Sequence, residues 1–323
     1  MSRAALIGGL AALAALLFAA SLMAGKAWVP PSAWFSADPL WWIVVELRLP
    51  RAILALAIGA ALGLSGAVLQ GYLRNPLADP AVLGVSSCAA LGAVAAITLS
   101  AMAAPLLLFG AAMAGAGGAM LLLAALAWRS ESPVAFVLAG TVLASLAGAL
   151  TAFLISIAPN PLAVAEVMDW IMGALTDRSF AEVRLALPFL AAGCGLLLFT
   201  GRALDALTLG EDAARSMGVR MDRVRLLVVL GTGLAVGASV AVTGVVGFVG
   251  LIVPHLLRPL AGARPGALLL PSVLGGAALL LAADSLVRLA PGAGEVRLGV
   301  AMALLGAPFF LVLLLRERRR AWI

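Results

Sequence analysis

Residues 59–76 read GAALGLSGAVLQGYLRNP, and residues 237–254 read GASVAVTGVVGFVGLIVP. Laid over each other without a gap, the two stretches share six identical residues out of eighteen, among them Gly59 with Gly237 and Pro76 with Pro254. Both stretches are apolar and rich in small residues, a composition that lets helix backbones approach closely within lipid. The match indicates an internal repeat of membrane helices.

The whole chain has the composition of a polytopic membrane protein. Of its 323 residues, 64% are hydrophobic and 11% are charged, and the mean hydropathy is +1.15. Soluble proteins carry about 25% charged residues, so this chain cannot cover itself with a polar surface. Its aperiodic Leu, Ala, Val and Gly runs exclude a porin-like barrel, which needs short alternating segments. The sequence predicts an all-α protein of about ten transmembrane helices.

The two repeat copies lie five passes apart and therefore cross the membrane in opposite senses. Such an inverted repeat places a transport path between the two halves. We expect one domain, 1–323, with repeat units at about 48–182 (helices 2–5) and 226–315 (helices 7–10). The first apolar run is too long for a signal-peptide core, so it is interpreted as a helix. The expected spans are 4–24, 51–72, 84–100, 105–127, 134–157, 185–201, 226–243, 246–261, 268–287 and 298–315.

The basic residues are distributed unevenly between the two sides of this bundle. With both termini in the cytoplasm, 14 of the 21 Lys and Arg residues lie inside and 7 outside. Lys and Arg are retained on the cytoplasmic side, so the net charge of +6 indicates topology rather than nucleic-acid binding. Four tryptophans are expected in the first outer loop, where they lie at the headgroup level or contact a partner. They are Trp28, Trp34, Trp41 and Trp42.

Several kinds of chemistry have no residues to carry them. His255 is the one ionisable residue that could lie in the middle of a span, which disfavours a proton- or sodium-coupled carrier. No phosphate-binding loop is present, so an ATPase would be a separate polypeptide. No catalytic constellation, metal site or resident cofactor is expected, and Cys88 and Cys194 are interpreted as buried small hydrophobes. The chain is therefore not expected to be an enzyme.

Two polar islands interrupt the apolar sequence. Arg48 and Arg51 lie three residues apart at the outer start of a helix, where they can clamp carboxylates of an external partner or extend to the lipid interface. The 202–225 stretch is the longest polar segment inside. Within it, acidic residues precede Arg215 and Gly218 follows, which predicts a short helix that docks onto a soluble subunit; a solvated loop is the alternative.

These islands, and the apolar segments around them, resemble the FecCD family, the permease subunits of ATP-binding-cassette importers for iron-siderophores, haem and cobalamin. The resemblance covers most of the chain in the family's order. The matching stretches are RLPR (48–51), SGAVLQGYLRNPLADPAVLGVSS (65–87), DWIMGAL (169–175), LGEDAARSMGV (209–219), GVVGFVGLIVPHLLR (244–258) and RLGVAMALLGAPFFLVLL (297–314).

The resemblance implies a homodimer in the bacterial inner membrane that carries a metal chelate inward between its subunits. Two cytoplasmic ATPase subunits and a periplasmic binding protein are the implied partners. Arg48, Arg51 and Arg288 match the outer arginines that grip the binding protein, and Arg297 adds a positive charge near them. The segment matching the helix that engages the ATPase is Leu209, Gly210, Glu211, Asp212, Ala213, Ala214, Arg215, Ser216, Met217, Gly218 and Val219. A secondary transporter without an ATPase, or a membrane scaffold, is the alternative.

The charge bias makes a prediction about topology. Single cysteines at Ser36 and Ser130 should react with impermeant reagents from opposite sides of the membrane, Ser36 from outside. Labelling of both from the same side in intact cells and inverted vesicles would contradict the ten-span arrangement.

Overall fold

The computed structural model describes residues 2–35, 38–100, 104–129, 133–262, 264–291 and 295–320. Throughout this part the secondary structure is helical. Within these described ranges, seven helices are long and apolar enough to cross a membrane, and three more are apolar but shorter. They follow the ten expected spans in order, which confirms the predicted fold class. Ser36 and Ser130, chosen above for labelling, lie outside the described residues.

The helices differ in length because several are broken or lie at the ends of the bundle. In chain order they are α1 (Arg3–Met23), α2 (Pro39–Trp42), α3 (Leu49–Tyr72), α4 (Val85–Leu99), α5 (Pro105–Arg129), α6 (Pro133–Ser156), α7 (Pro161–Ile171), α8 (Phe180–Leu198), α9 (Gly201–Leu207), α10 (Glu211–Ser216), α11 (Met221–Thr243), α12 (Val249–Ala261), α13 (Pro265–Leu289) and α14 (Leu298–Arg320).

The second membrane helix begins earlier than the sequence predicted. Asp38 caps the Leu40 amide at 2.8 Å and Pro39 starts α2, a favourable helix start. A π-helical turn, Ile43–Arg48, then joins α2 to α3, so the helix runs continuously from Pro39 to Tyr72. Trp41 and Trp42 therefore lie in a helix and not in the first outer loop as expected.

Two further features were absent from the sequence prediction. The amphipathic helix α7 follows α6, with Asn160 capping the Ala163 amide at 2.8 Å. The eighth span begins only at Val249, because positive φ angles at Gly244 (71°) and Phe248 (67°) keep 244–248 out of the helix. A non-glycine residue in this conformation is strained, so α12 begins at a defined backbone break.

The centre of the bundle consists of α3 and α11. Of the 18-residue apolar window in each of these two helices, 78% is buried. The corresponding share is 17% in α1 and 11% in α6. Their packing is reciprocal: α3 contacts α12 and α13 of the second half, while α11 contacts α4 and α5 of the first half. This exchange of partners is what an inverted repeat predicts.

Equivalent close contacts occur in both halves of the repeat. A Cβ on Gly59 of α3 would meet the backbone oxygen of Gly276, the twelfth residue of α13. A Cβ on Gly237 of α11 would lie 2.7 Å from the Cβ of Ala116, the twelfth residue of α5. Gly59 and Gly237 are the first matched pair of the sequence repeat. Small residues therefore set the distance between helices at the same place in each half.

The Gly59 contact can be tested with a matched pair of substitutions. We expect Gly59→Ala to destabilise the protein by about 1–3 kcal/mol, because the new methyl group collides with the α13 backbone. Gly117→Ala in α5, where a Cβ would meet nothing within 4 Å, should leave stability unchanged or raise it. Melting temperatures in detergent measure both, and equal values for the two variants would contradict the packing described here.

Candidate functional site

Arg48 binds the end of the first helix. Its Nη1 donates to the carbonyl oxygens of Leu22 and Met23, each at 3.0 Å, and its Nη2 donates to the carbonyl of Ala27. The last carbonyls of a helix lack intrahelical partners and carry partial negative charge, so a cation there is stabilising. Arg48 is 5% exposed and contacts backbone, which argues against the alternative that it extends to the lipid interface.

Arg51 lies between two carboxylates. Its Nε donates to both oxygens of Asp284, at 2.9 and 3.1 Å, and its Nη2 lies 2.9 Å from Asp284 Oδ1. Its Nη1 donates to Glu295 Oε2 at 2.8 Å. One edge of the guanidinium is therefore committed to a buried acid on α13, and the opposite end to an acid just before α14.

Arg288 completes the group from the other side of Asp284. Its Nη2 lies 3.1 Å from Asp284 Oδ2 and also donates to the Ser21 hydroxyl, while Nη1 donates to the Ala24 carbonyl at 3.1 Å. Asp284 is fully buried and Arg288 is 3% exposed. The three predicted arginines thus converge, and they join α1, α3 and α13 at one end of the bundle.

The arginines line a pocket of about 210 Å³ that opens at this end of the bundle. Two more basic residues of its wall, Lys26 and Arg178, were not among the predicted site residues. Burial lowers the pKa of Arg178, and Glu182 and Asp177 act in the opposite direction. Arginine remains protonated at any physiological pH, so the wall carries five basic groups against two acidic ones, Asp177 and Glu295.

Arg297, expected to add charge near this pocket, is directed elsewhere. Its Nη2 contacts Asp169 of α7, in a pair whose side chains are 29% and 57% exposed. The carboxylates Asp284 and Glu295 were missed as partners of the arginines, since they are 233 and 244 residues from Arg51 in sequence. The only sequence signal was that both lie near the outer ends of neighbouring spans.

The opposite end of the bundle carries the predicted short helix, α10. Glu211 and Arg215 form an i,i+4 ion pair at 3.0 Å along it, and Ala214 is fully buried against the rest of the protein. Leu209 and Met217, on either side, are 70% and 54% exposed. α10 therefore has one anchored face and two apolar side chains available to a partner.

Glycine ends α10, as predicted. Gly218 has φ of 83°, its amide donates to the Arg215 carbonyl at 2.9 Å, and the Val219 amide donates to the Ala214 carbonyl at 3.0 Å. These two bonds form a Schellman motif, which requires a left-handed residue. Gly210 at the other end also has a positive φ, 102°. Residues Glu211 to Ser216 thus form a compact helix between two glycine turns.

The neighbouring helix α9 attaches this segment to the membrane bundle. Asp205 accepts the Gly266 amide of α13 at 2.7 Å. Nearby, Gln70, at the end of α3 opposite to Arg51, accepts from Arg258 of α12 at 2.6 Å and donates to the Gly250 carbonyl at 3.2 Å. Movement of α9 and α10 would therefore be transmitted to α13 and α3, which α9 contacts directly.

His255 and the cysteines belong to neither end. The His255 ring packs edge-on against Phe309 of α14, with ring centroids 5.8 Å apart. Cys88 and Cys194 are free thiols and only partly buried, whereas the sequence analysis expected full burial.

Comparison with known proteins gives consistent matches over nearly the whole chain. Residues 13–316 match the FecCD transport family. The cobalamin import system permease BtuC of Halobacterium salinarum is 42% identical over 86% of this chain and 75% of its own length. The hemin transport permease HmuU of Yersinia pestis is 38% identical over 88% of this chain and 86% of its own. A solved inward-facing metal-chelate type ABC transporter superposes with a TM-score of 0.86 at 32% identity, over 97% of this chain and 99% of that one.

Proposed function

The chain belongs to the FecCD transport family, and we propose that its two ends divide the work of the importer of which it is the permease subunit: the arginine pocket receives a binding protein, and α10 engages an ATPase. As a permease of an ATP-binding-cassette importer, the chain moves a metal chelate across the membrane and hydrolyses nothing itself. The single observation that carries the proposal is the placement of α10, a compact exposed helix at the far end of the bundle from the arginine pocket.

The composition of the outer pocket supports an acidic partner. Five basic side chains line it against two acids, within a volume of about 210 Å³ that accommodates a side-chain carboxylate. Guanidinium groups bind carboxylates in fixed bidentate geometry, so arginine specifies orientation as well as charge. The arginines are also held rigidly by α1, α3 and α13, which lowers the entropy lost on docking.

The form of α10 supports a soluble partner at the other end. Leu209 and Met217 are exposed apolar side chains flanking a charged helix, which can insert into a groove of an ATPase subunit. Closure of a pair of ATPase subunits would then move α9 and α10 as a unit. Through Asp205 and Gly266 that movement reaches α13, whose other end carries Asp284 and Arg288.

Substrate and assembly follow from the relatives as proposals. Their names cover cobalamin and hemin, both bulky metal chelates, so we propose a substrate of this class. We also propose a homodimer with both termini in the cytoplasm of a bacterial inner membrane. The least buried span, α6, exposes several large apolar side chains that a second copy can cover, among them Leu138, Val142, Leu146, Leu150 and Phe153.

Docking is tested by replacing Arg51, the pocket arginine that contacts two carboxylates, with a neutral residue. Arg51→Gln should weaken binding of the cognate binding protein about 10- to 150-fold, since a charged hydrogen bond contributes about 1.5–3 kcal/mol. Surface plasmon resonance on the purified permease in nanodiscs measures this affinity. The melting temperature is recorded in parallel, because Asp284 loses one of its two arginines.

Arg297→Gln is the matched control, because it removes the same charge from the same end of the bundle but from an exposed pair outside the pocket. It should change affinity less than about threefold. Equal affinity for Arg51→Gln and the unmodified permease would refute the docking assignment.

Coupling is tested at the glycine that ends α10. A Cβ on Gly218 would meet nothing within 4 Å, so any effect of substitution comes from its φ of 83°. Gly218→Val should abolish most ATP-dependent uptake into proteoliposomes, because a β-branched residue resists this conformation. Gly218→Asn, which tolerates it, should retain uptake, and both variants should bind the binding protein normally.

Full uptake by Gly218→Val, or by a chain with 211–219 replaced by a Gly/Ser linker, would exclude the coupling role. Uptake that needs neither ATP nor the ATPase would instead support a secondary transporter.

A further inference from the structure

The outer arginines already have partners within the chain. Arg48 donates to backbone carbonyls of α1 and its following turn, Arg288 is held by Asp284, Ser21 and Ala24, and Arg51 by Asp284 and Glu295. An incoming carboxylate must therefore displace one of these contacts or share an arginine with it. The question is which contact can be given up.

Asp284 is not replaceable from outside. It is fully buried, and it contacts Arg51 and Arg288 at the same time. Its loss would leave two buried guanidinium groups without the carboxylate that they share, which is strongly unfavourable. The carbonyls bound by Arg48 belong to the last turn of α1 and the segment after it, and are fixed by the chain itself.

Glu295 differs from the other partners on three counts. Its side chain is 26% exposed, and it lies in the non-helical segment directly before α14 rather than within a helix. It also accepts a hydrogen bond from Nη1 of Arg51, at the end of the guanidinium opposite to the edge that contacts Asp284. Glu295 is therefore the pocket-lining partner that can leave while Arg51 keeps a carboxylate, Asp284.

We propose that Glu295 is an internal substitute for the partner's carboxylate: it holds Arg51 in the free permease and is displaced when an acidic side chain of the binding protein enters the pocket. The inference rests on the docking function proposed above. Docking then exchanges one carboxylate for another at the same arginine. The exchange makes binding specific for an acidic group placed at this depth while it limits the net affinity, so the binding protein can dissociate.

The exchange also gives docking a route into the membrane. Glu295 contacts Thr176 Oγ1 at 3.3 Å, and four residues further on the Gly299 amide donates to the Gly173 carbonyl at 3.1 Å. Release of Glu295 removes one of the contacts that fix 295–299, the segment leading into α14, against the loop before α8. The outer end of α14 is therefore the element that senses whether a partner is docked.

The test compares two isosteric substitutions that each remove one negative charge from the outer end. Glu295→Gln should raise the affinity for the binding protein at least fivefold, because the internal competitor is gone. Asp169→Asn, whose partner Arg297 lies outside the pocket, controls for the general gain in attraction to an acidic protein and should raise affinity less than twofold. Both are measured in nanodiscs beside Arg51→Gln and the Arg51→Gln/Glu295→Gln double variant.

The outcomes separate the inference from the docking function. Suppose that Glu295→Gln raises the affinity no more than Asp169→Asn does, or lowers it, while Arg51→Gln binds weakly. The docking function then stands, and the proposed exchange of carboxylates is wrong. If Arg51→Gln binds normally, the docking function itself fails. The proposal also requires that Glu295→Gln have no effect in the Arg51→Gln background, and an undiminished gain there would overturn it.

Discussion

The buried contact of Asp284 with Arg51 and Arg288 holds one end of the helix bundle together. One carboxylate, fully buried, compensates two arginines that are 7% and 3% exposed. Removing one partner of such a group costs about 3–5 kcal/mol, because the charge left behind has no water. Through Arg288 the contact extends to Ser21 and Ala24 of the first helix, so α1, α3 and α13 share one electrostatic centre. The pocket that we assign to docking is the solvent-facing side of this centre.

Local patterns in the sequence were sufficient for much of the fold. The spans and the helix between Gly210 and Gly218 follow from neighbouring residues, and the structure contains them. The early start of the second span was missed because Trp and Pro residues were interpreted as loop, although Asp38 and Pro39 form a helix start. The internal partners of the arginines could not be predicted, since no local signal relates Arg51 to a residue on the other half of the chain.

The two ends of the bundle to which we assign partners are connected by rigid packing rather than by flexible segments. α3 carries Arg51 near one end and Gln70 near the other, and between them Gly59 packs against the α13 backbone without space for a methyl group. Close-packed helices of this kind shift as bodies and deform little along their length. A displacement of α9 and α10 at the Gln70 end is therefore expected to reorient α3 and α13 together, with the strained turn at Phe248 as one place where the backbone can bend.

The long separation of Arg51 from Asp284 has a consequence for how the protein is made. Ribosomes synthesise the chain from its N-terminus, so Arg48 and Arg51 reach the membrane more than 230 residues before the carboxylate that neutralises Arg51. Until α13 is inserted, the position of lowest free energy for these guanidinium groups is the headgroup layer, where water and lipid phosphate solvate them. The end of α3 that carries Arg51 can reach its final depth in the membrane only late in synthesis. Nascent chains truncated before Asp284 should therefore hold their second helix at a shallower depth than the finished protein does.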